Sequence, residues 1–154
     1  MSPRIALHEV DPAAFRALMN FGTYASAGDL PAPLRHLIHI RASQVNGCGY
    51  CLIMHLSEAR KHGETQARLD LLATWRESDL FTPEERAVLA LTEEVTLLAN
   101  AGVSDQTFAA VRVHFNEEQT VRLLAEIMSI NNWNRLNVVL HTPADLKAVR
   151  FPAL

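Results

Sequence analysis

The chain has 154 residues, 49% hydrophobic and 20% charged, with a formal net charge of -3. Those proportions fit one globular domain over 1–154 and exclude a disordered chain, and the length suffices to bury roughly 70% of the unfolded surface. The only basic cluster is Arg60-Lys61-His62, which speaks against a nucleic-acid partner; no basic start leads into an apolar run, and no stretch approaches the roughly 20 apolar residues of a membrane helix. The expectation is a soluble, cytoplasmic protein with no membrane partner.

Helix signals dominate from the start. Asp11 caps a segment with Pro12 at its first position, and Phe15, Leu18, Met19 and Phe21 follow helical spacing towards Gly28. Pro31 and Pro33 open a second helix with Leu34, Leu37, Ile38 and Ala42 as its stripe; Asn46-Gly47 breaks it. A third is expected from about Cys48 to His62, ending at Gly63, and a fourth from Thr65 to about Arg76. Thr82-Pro83-Glu84-Glu85 is a capping box, starting a fifth helix that reaches about Ala99 before Asn100-Ala101-Gly102. Ser104 opens a sixth through about Phe115, Glu117 to Leu140 reads as a long seventh, and Pro143 starts a short terminal turn. The fold class is all-α, a single-domain bundle of about six to seven helices.

The chemistry concentrates in the third helix. Cys48 and Cys51 are the only cysteines, in a C-x-x-C spacing, and His55 follows four residues after the second. Residues i and i+4 share a helix face, so Cys51 and His55 are expected neighbours, with Cys48 on the same side. The positive end of the helix dipole favours thiolate, and an imidazole can take the thiol proton. A thiolate can attack a peroxide oxygen, giving a sulfenic acid that a second cysteine condenses with to a disulfide. The spacing alone leaves other readings open: two inert core thiols, or zinc ligation by the pair with a histidine. His62 continues the line two turns on, where a histidine also suits the negative end of the dipole.

Elsewhere, Glu93 and Glu94 read as solvated or interface charges. Trp133, Asn134 and Arg135 read as structural. Leu123, Leu124, Ile127, Met128 and Ile130 form a wide apolar surface fit for a core or for subunit packing.

The segment from Leu37-Ile38-His39-Ile40-Arg41-Ala42-Ser43 through Asn46-Gly47-Cys48-Gly49-Tyr50-Cys51 to His55 resembles the core of the alkylhydroperoxidase D-like proteins of the carboxymuconolactone decarboxylase superfamily. The likeness extends through Glu58-Ala59-Arg60-Lys61-His62-Gly63-Glu64, Phe81-Thr82-Pro83-Glu84-Glu85-Arg86-Ala87 and Asn132-Trp133-Asn134-Arg135-Leu136. It implies an all-helical homo-oligomer, trimer or hexamer, that reduces hydroperoxides without a metal or bound organic cofactor. The reductant would be a dithiol protein, lipoylated or thioredoxin-like. The resemblance assigns the attack to Cys51, resolution to Cys48 and proton transfer to His55. The helix dipole alone would favour Cys48 as the more acidic thiol; proximity to His55 favours Cys51. The relay glutamate of that family falls on His36 here, which can pass a proton but cannot supply negative charge. A lactone decarboxylase, as in the other branch of the superfamily, and a non-enzymatic redox-sensing oligomer are the alternatives.

Overall fold

Capping side chains set most of the helix starts. In the computed structural model, which describes residues 3–145, Asp11 caps α2 (Pro12–Ser26) and Thr65 caps α5 (Gln66–Leu71). Thr82 forms the expected box with Glu85 at α6 (Pro83–Thr96), Ser104 caps α8 (Asp105–His114), and Asn116 with Gln119 boxes α9 (Glu117–Val139). Each such cap contributes on the order of 1 kcal/mol by satisfying amide groups that the first turn leaves bare. α3 (Ala32–Asn46) and α4 (Gly49–Lys61) are joined by Gly47 at φ 68°, a left-handed position that ends α3 and turns the chain at once into α4.

Nine α-helices and one 3-10 segment occur among the described residues, and no strand, so the expected six to seven helices require correction. A single turn, α1 (Leu7–Val10), precedes Asp11. The fifth expected helix is two: α6 stops at Leu97 (φ -101°, ψ 32°), and α7 (Leu98–Ala101) makes one further turn before Gly102. The fourth changes character midway. After α5 the chain tightens into a 3-10 segment, Leu72–Glu77, with Thr74 off helical geometry; this places Trp75 into the core. Pro143 lies in irregular backbone, and the remainder of the expected terminal turn lies outside the described residues.

α3 is the central helix, packed on α4, α6 and α9. One side sends Leu34, Ile38 and Ala42 into a cluster with Val88, Leu91, Leu123 and Ile127; the other sends Leu37 and Ile40 against Ala59, Leu72, Trp75 and Leu89. Fully burying each such aliphatic side chain stabilises by about 1.5–3 kcal/mol. The apolar run of α9 divides accordingly, with Leu123, Ile127 and Ile130 buried and Met128 exposed. No helix among the described residues is long and apolar enough to cross a membrane.

Two expectations about charge need correction. Glu93 is not a solvated charge: it accepts from Arg41 Nε at 2.7 Å, from Trp75 Nε1 at 2.8 Å and from Arg76 Nη1, tying α3 and the 3-10 segment to α6. Glu94 accepts from the Ser104 amide at 2.8 Å and the Thr107 hydroxyl at 2.6 Å, so it anchors the start of α8. Burial acts to raise both carboxyls, but the fixed donors around their oxygens outweigh it and hold each below its ordinary range.

Candidate active site

The cysteine pair sits where α3 hands over to α4. Cys48 is the N-cap of α4, in extended backbone, and its Sγ accepts the Cys51 amide at 3.3 Å. Cys48 and Cys51 are joined as a disulfide, with a Cα–Cα separation of 5.4 Å that suits such a bond. Both are 1% exposed and belong to the cluster between α3, α6 and α9. Tyr50, between them, packs half-buried against the same cluster.

α9 pins this turn from the far side. Asn46 Nδ2 donates to Asn131 Oδ1 at 2.9 Å and Asn134 Oδ1 at 3.0 Å, and Asn134 Nδ2 donates to Ser43 Oγ at 2.9 Å. Arg135 returns to the carbonyl and side chain of Asn131. Trp133 meets Phe15 edge-on, with centroids 5.6 Å apart, locking α2 to α9. Thus the Trp133-Asn134-Arg135 run is structural, with Asn134 the part nearest the thiol turn. One turn later Asn137 Nδ2 lies 3.5 Å from Cys51 Sγ, a donor to that sulfur. Past α9, Ala144 approaches the exposed Gly49; a Cβ added there would stand 3.0 Å from the Ala144 methyl.

Below the disulfide, histidines of α3 and α4 face one another in two rungs. In the inner rung His39 lies over His55, ring centroids 4.5 Å apart, and each ring carries its own carboxylate. His55 Nδ1 is 3.0 Å from Glu58 Oε2, one turn along α4; His39 Nε2 is 3.0 Å from Glu126 Oε2, from the buried face of α9. Arg35 Nε stands 3.8 Å from the other Glu126 oxygen. In the outer rung His36 Nε2 meets His62 Nδ1 at 2.8 Å, the rings near parallel at 18°. His36 is buried, His62 is exposed, and the two line a cavity of about 80 Å³ with Pro33, Ala59, Gly63 and Glu64. His62 is thus more than a histidine at the end of the dipole.

Electrostatics sort these groups. Burial pushes His55 down to about 4, helped by His39 and opposed by the Glu58 hydrogen bond. His36 also falls to about 4, again through burial first and then the neighbouring His39 and His62. Both rings are therefore neutral at pH 7. With Glu58 ionised, His55 holds its proton on Nδ1 as donor to the carboxylate, leaving Nε2 as a base. Glu58 is held below its usual range chiefly by that bond. For Glu126 burial works upward, but the His39 bond and the charges of His39 and Arg35 outweigh it. Among the described residues no group of three or more His, Cys, Asp or Glu is placed to hold a metal ion.

Of the four residues singled out from the sequence, Cys48 and Cys51 are bonded to each other at the head of α4, His55 follows one turn after Cys51 on the same helix and belongs to the inner rung, and His36 belongs to the outer rung with His62. Sequence reasoning missed Glu58, His39, Glu126 and Asn137. Glu58 was findable, since its i+3 spacing from His55 puts the two on one face. Glu126 carried a signal too, as a lone charge within Leu123-Leu124-Ala125-Glu126-Ile127.

The carboxymuconolactone decarboxylase family model matches residues 12–94, more than half of the chain and the whole of the α3–α4 site. The uncharacterized protein YdfG of Bacillus subtilis (strain 168) is 40% identical over 147 residues, covering 96% of this chain and 100% of that one. A crystal structure of a protein of unknown function from Agrobacterium tumefaciens, described as a candidate AhpD antioxidant defence protein, superposes with a TM-score of 0.90 at 37% identity, covering 92% of this chain and 97% of the other. The debrominase Bmp8, in complex with 2,3,4-tribromopyrrole, shares the fold at a TM-score of 0.79 and 20% identity, over 88% of this chain and 72% of its own. A family match spanning the thiol turn, and relatives aligned almost end to end, carry the assignment: the chain belongs to the carboxymuconolactone decarboxylase family, among its AhpD-like members.

Proposed function

We propose that the protein is a thiol-dependent peroxidase that reduces hydroperoxides in an antioxidant role. The observation that carries this reading is the disulfide-forming pair at the start of α4, one turn from a neutral histidine whose far nitrogen is bound to a carboxylate. In the reduced protein His55 Nε2 takes the Cys51 proton. The Cys51 thiolate attacks the terminal peroxide oxygen, the O–O bond breaks, and the leaving alkoxide or hydroxide takes a proton from His55. Cys51 is then a sulfenic acid. Cys48 attacks its sulfur, water leaves, and the disulfide forms. A dithiol partner, lipoylated or thioredoxin-like, reduces it by exchange and is itself oxidised. The sulfur of Cys48 has an amide donor as N-cap and that of Cys51 has Asn137, so each thiolate is supported in its turn. No metal or organic cofactor takes part in this scheme. Glu58, rather than a carboxylate at position 36, serves as the partner that orients His55, and His36 belongs to the outer part of the proton relay. Assembly as a trimer or hexamer would cover exposed apolar side chains such as Leu97, Leu98 and Val139.

Peroxide consumption by wild type, Cys48→Ser and Cys51→Ser, with sulfenic acid trapped in each, tests this reading. The expected result is loss of turnover in both variants, with sulfenate trapped only in Cys48→Ser. Normal turnover by Cys51→Ser would overturn the assignment of the attacking thiol, and absence of turnover in wild type with a dithiol reductant would overturn the activity.

A further inference from the structure

The histidine one turn from Cys51 brings no positive charge to it. His55 is neutral at pH 7, and Cys51 is 1% exposed, an environment that favours thiol over thiolate. The neighbouring rings are engaged elsewhere, His55 with Glu58, His39 with Glu126 and His36 with His62. Two observations point to α9 for a donor that offsets this burial. First, Asn137 Nδ2 lies 3.5 Å from Cys51 Sγ. Second, α9 places that amide through contacts that involve no sulfur. Asn131, Asn134 and Asn137 recur every three residues along one side of the helix. Asn131 and Asn134 accept from Asn46 at 2.9 and 3.0 Å, and Asn134 donates to Ser43 at 2.9 Å. The register of α9 against the thiol turn is thus held by groups that reduction of the disulfide leaves untouched. An amide is also a donor at every pH.

We propose that Asn137 is a further catalytic residue of the thiol site, the hydrogen-bond donor that holds the Cys51 sulfur as thiolate in the reduced protein. The proposal rests on Cys51 being the attacking thiol of the proposed function. When Cys51 gives up its proton, the negative charge stays on Sγ, opposite Asn137 Nδ2. A hydrogen bond to a charged acceptor is stronger than one to a neutral acceptor, so the contact favours the ionised form. Cys48 does not share this donor. Its sulfur takes the Cys51 backbone amide at 3.3 Å, a bond made within the first turn of α4. The helix dipole acts on both sulfurs and most on Cys48, whereas Asn137 acts on Cys51 alone. The titratable groups around Cys51 are Cys48 and, on α4, Tyr50 and His55, with His39 of α3 over His55 and Glu126 of α9 behind it. On α6, Glu93 accepts from Arg41, Trp75 and Arg76, and Glu94 from Ser104 and Thr107. Arg135 of α9 is turned to Asn131, Arg4 donates to the Val139 carbonyl, and His141 and Asp145 lie on the segment that reaches Gly49.

Titration of one thiol at a time tests this. The full-length Cys48→Ser protein keeps Cys51 alone, and Cys51→Ser keeps Cys48 alone. Each is titrated through the ultraviolet absorbance of thiolate, which needs no reagent to reach a buried sulfur. In Cys48→Ser, adding Asn137→Leu should raise the Cys51 midpoint by about one pH unit, a tenfold loss of thiolate below it. Asn137→Ala should move it in the same direction, and it keeps the test open if the leucine variant does not fold. Asn137→Asp has the shape of asparagine but sets a carboxylate beside the sulfur, so it should raise the midpoint furthest. In Cys51→Ser, Asn137→Leu and Asn137→Ala should leave the Cys48 midpoint in place. The proposal is overturned if neither apolar variant moves the Cys51 midpoint. It is overturned equally if Cys48 rises as much as Cys51, the mark of a turn that has merely loosened. No peroxide enters the titration. A protein inactive towards peroxide can still show the shift and an active one can lack it, so the two conclusions fail separately.

Discussion

Two polar centres flank α3, and they are built on opposite principles. At Glu93 the carboxylate meets Arg41, Arg76 and the Trp75 indole, all permanent donors, and both of its oxygens accept. Around His55 the partners are other histidines and two carboxylates, and one buried nitrogen, His36 Nδ1, has no partner. The first centre is satisfied in one protonation state only and so fixes structure. The second can be occupied in several protonation states, which a proton-handling site requires and a structural one does not.

That contrast can be broken experimentally, and the largest effect should come from the satisfied centre. Glu93→Ala strands Arg41 and the Trp75 indole N–H, so unfolding free energy should fall by about 3 kcal/mol in denaturant titration, while the rate of disulfide reduction per folded molecule stays near wild type. A large change in that rate with intact stability would erase the distinction. Glu58→Gln should show the reverse pattern. Its carboxylate is partly exposed, so stability should shift by about 1 kcal/mol or less, whereas peroxide turnover should fall on the order of 10²-fold as His55 loses its anionic partner.

The last expected effect is a pH dependence of stability. His36 and His55 have folded values near 4, below the 6.5 of an unfolded histidine. Between these values the unfolded chain binds more protons, so the contribution is complete above about 6.5 and is lost as pH falls towards 4. Glu58 and Glu126, also depressed, act in the same direction at lower pH. Urea midpoints should therefore decline from pH 7 to pH 4, and His36→Phe should decline less steeply over that window. An equal slope in that variant would remove His36 from the set of histidines buried neutral.

Much of this architecture is legible in the sequence because it is local. Caps at Asp11, Thr82 and Ser104, the Asn46-Gly47 break and the register of Cys51 with His55 all depend on spacing within a few residues. What escapes such reading depends on how helices meet. Leu97 offers no Pro or Gly, so nothing local announces that α6 stops there; Glu94 holding Ser104 redirects the chain. Glu93 reads as solvated because its partners lie on α3 and the 3-10 segment. Glu126 and Asn137 reach the site only because α9 packs along α3, and His39 acquires meaning only when α4 lays His55 beneath it. A resemblance that places a carboxylate at its position singles out His36; the carboxylate that touches His55 stands on the same helix as His55, one turn away.

The contact between Gly49 and Ala144 makes the motif depend on a residue almost a hundred positions away. A methyl at position 49 is crowded only while Ala144 keeps its own. Gly49→Ala should therefore be costlier alone than when paired with Ala144→Gly, a non-additive pair of the kind neighbouring sites show. Of the two residues between the thiols, Gly49 is the one whose substitution is felt past the end of α9. A side chain at position 49 is accommodated once Ala144 shifts by a few tenths of an ångström or loses its methyl, so the two positions are coupled through one van der Waals contact.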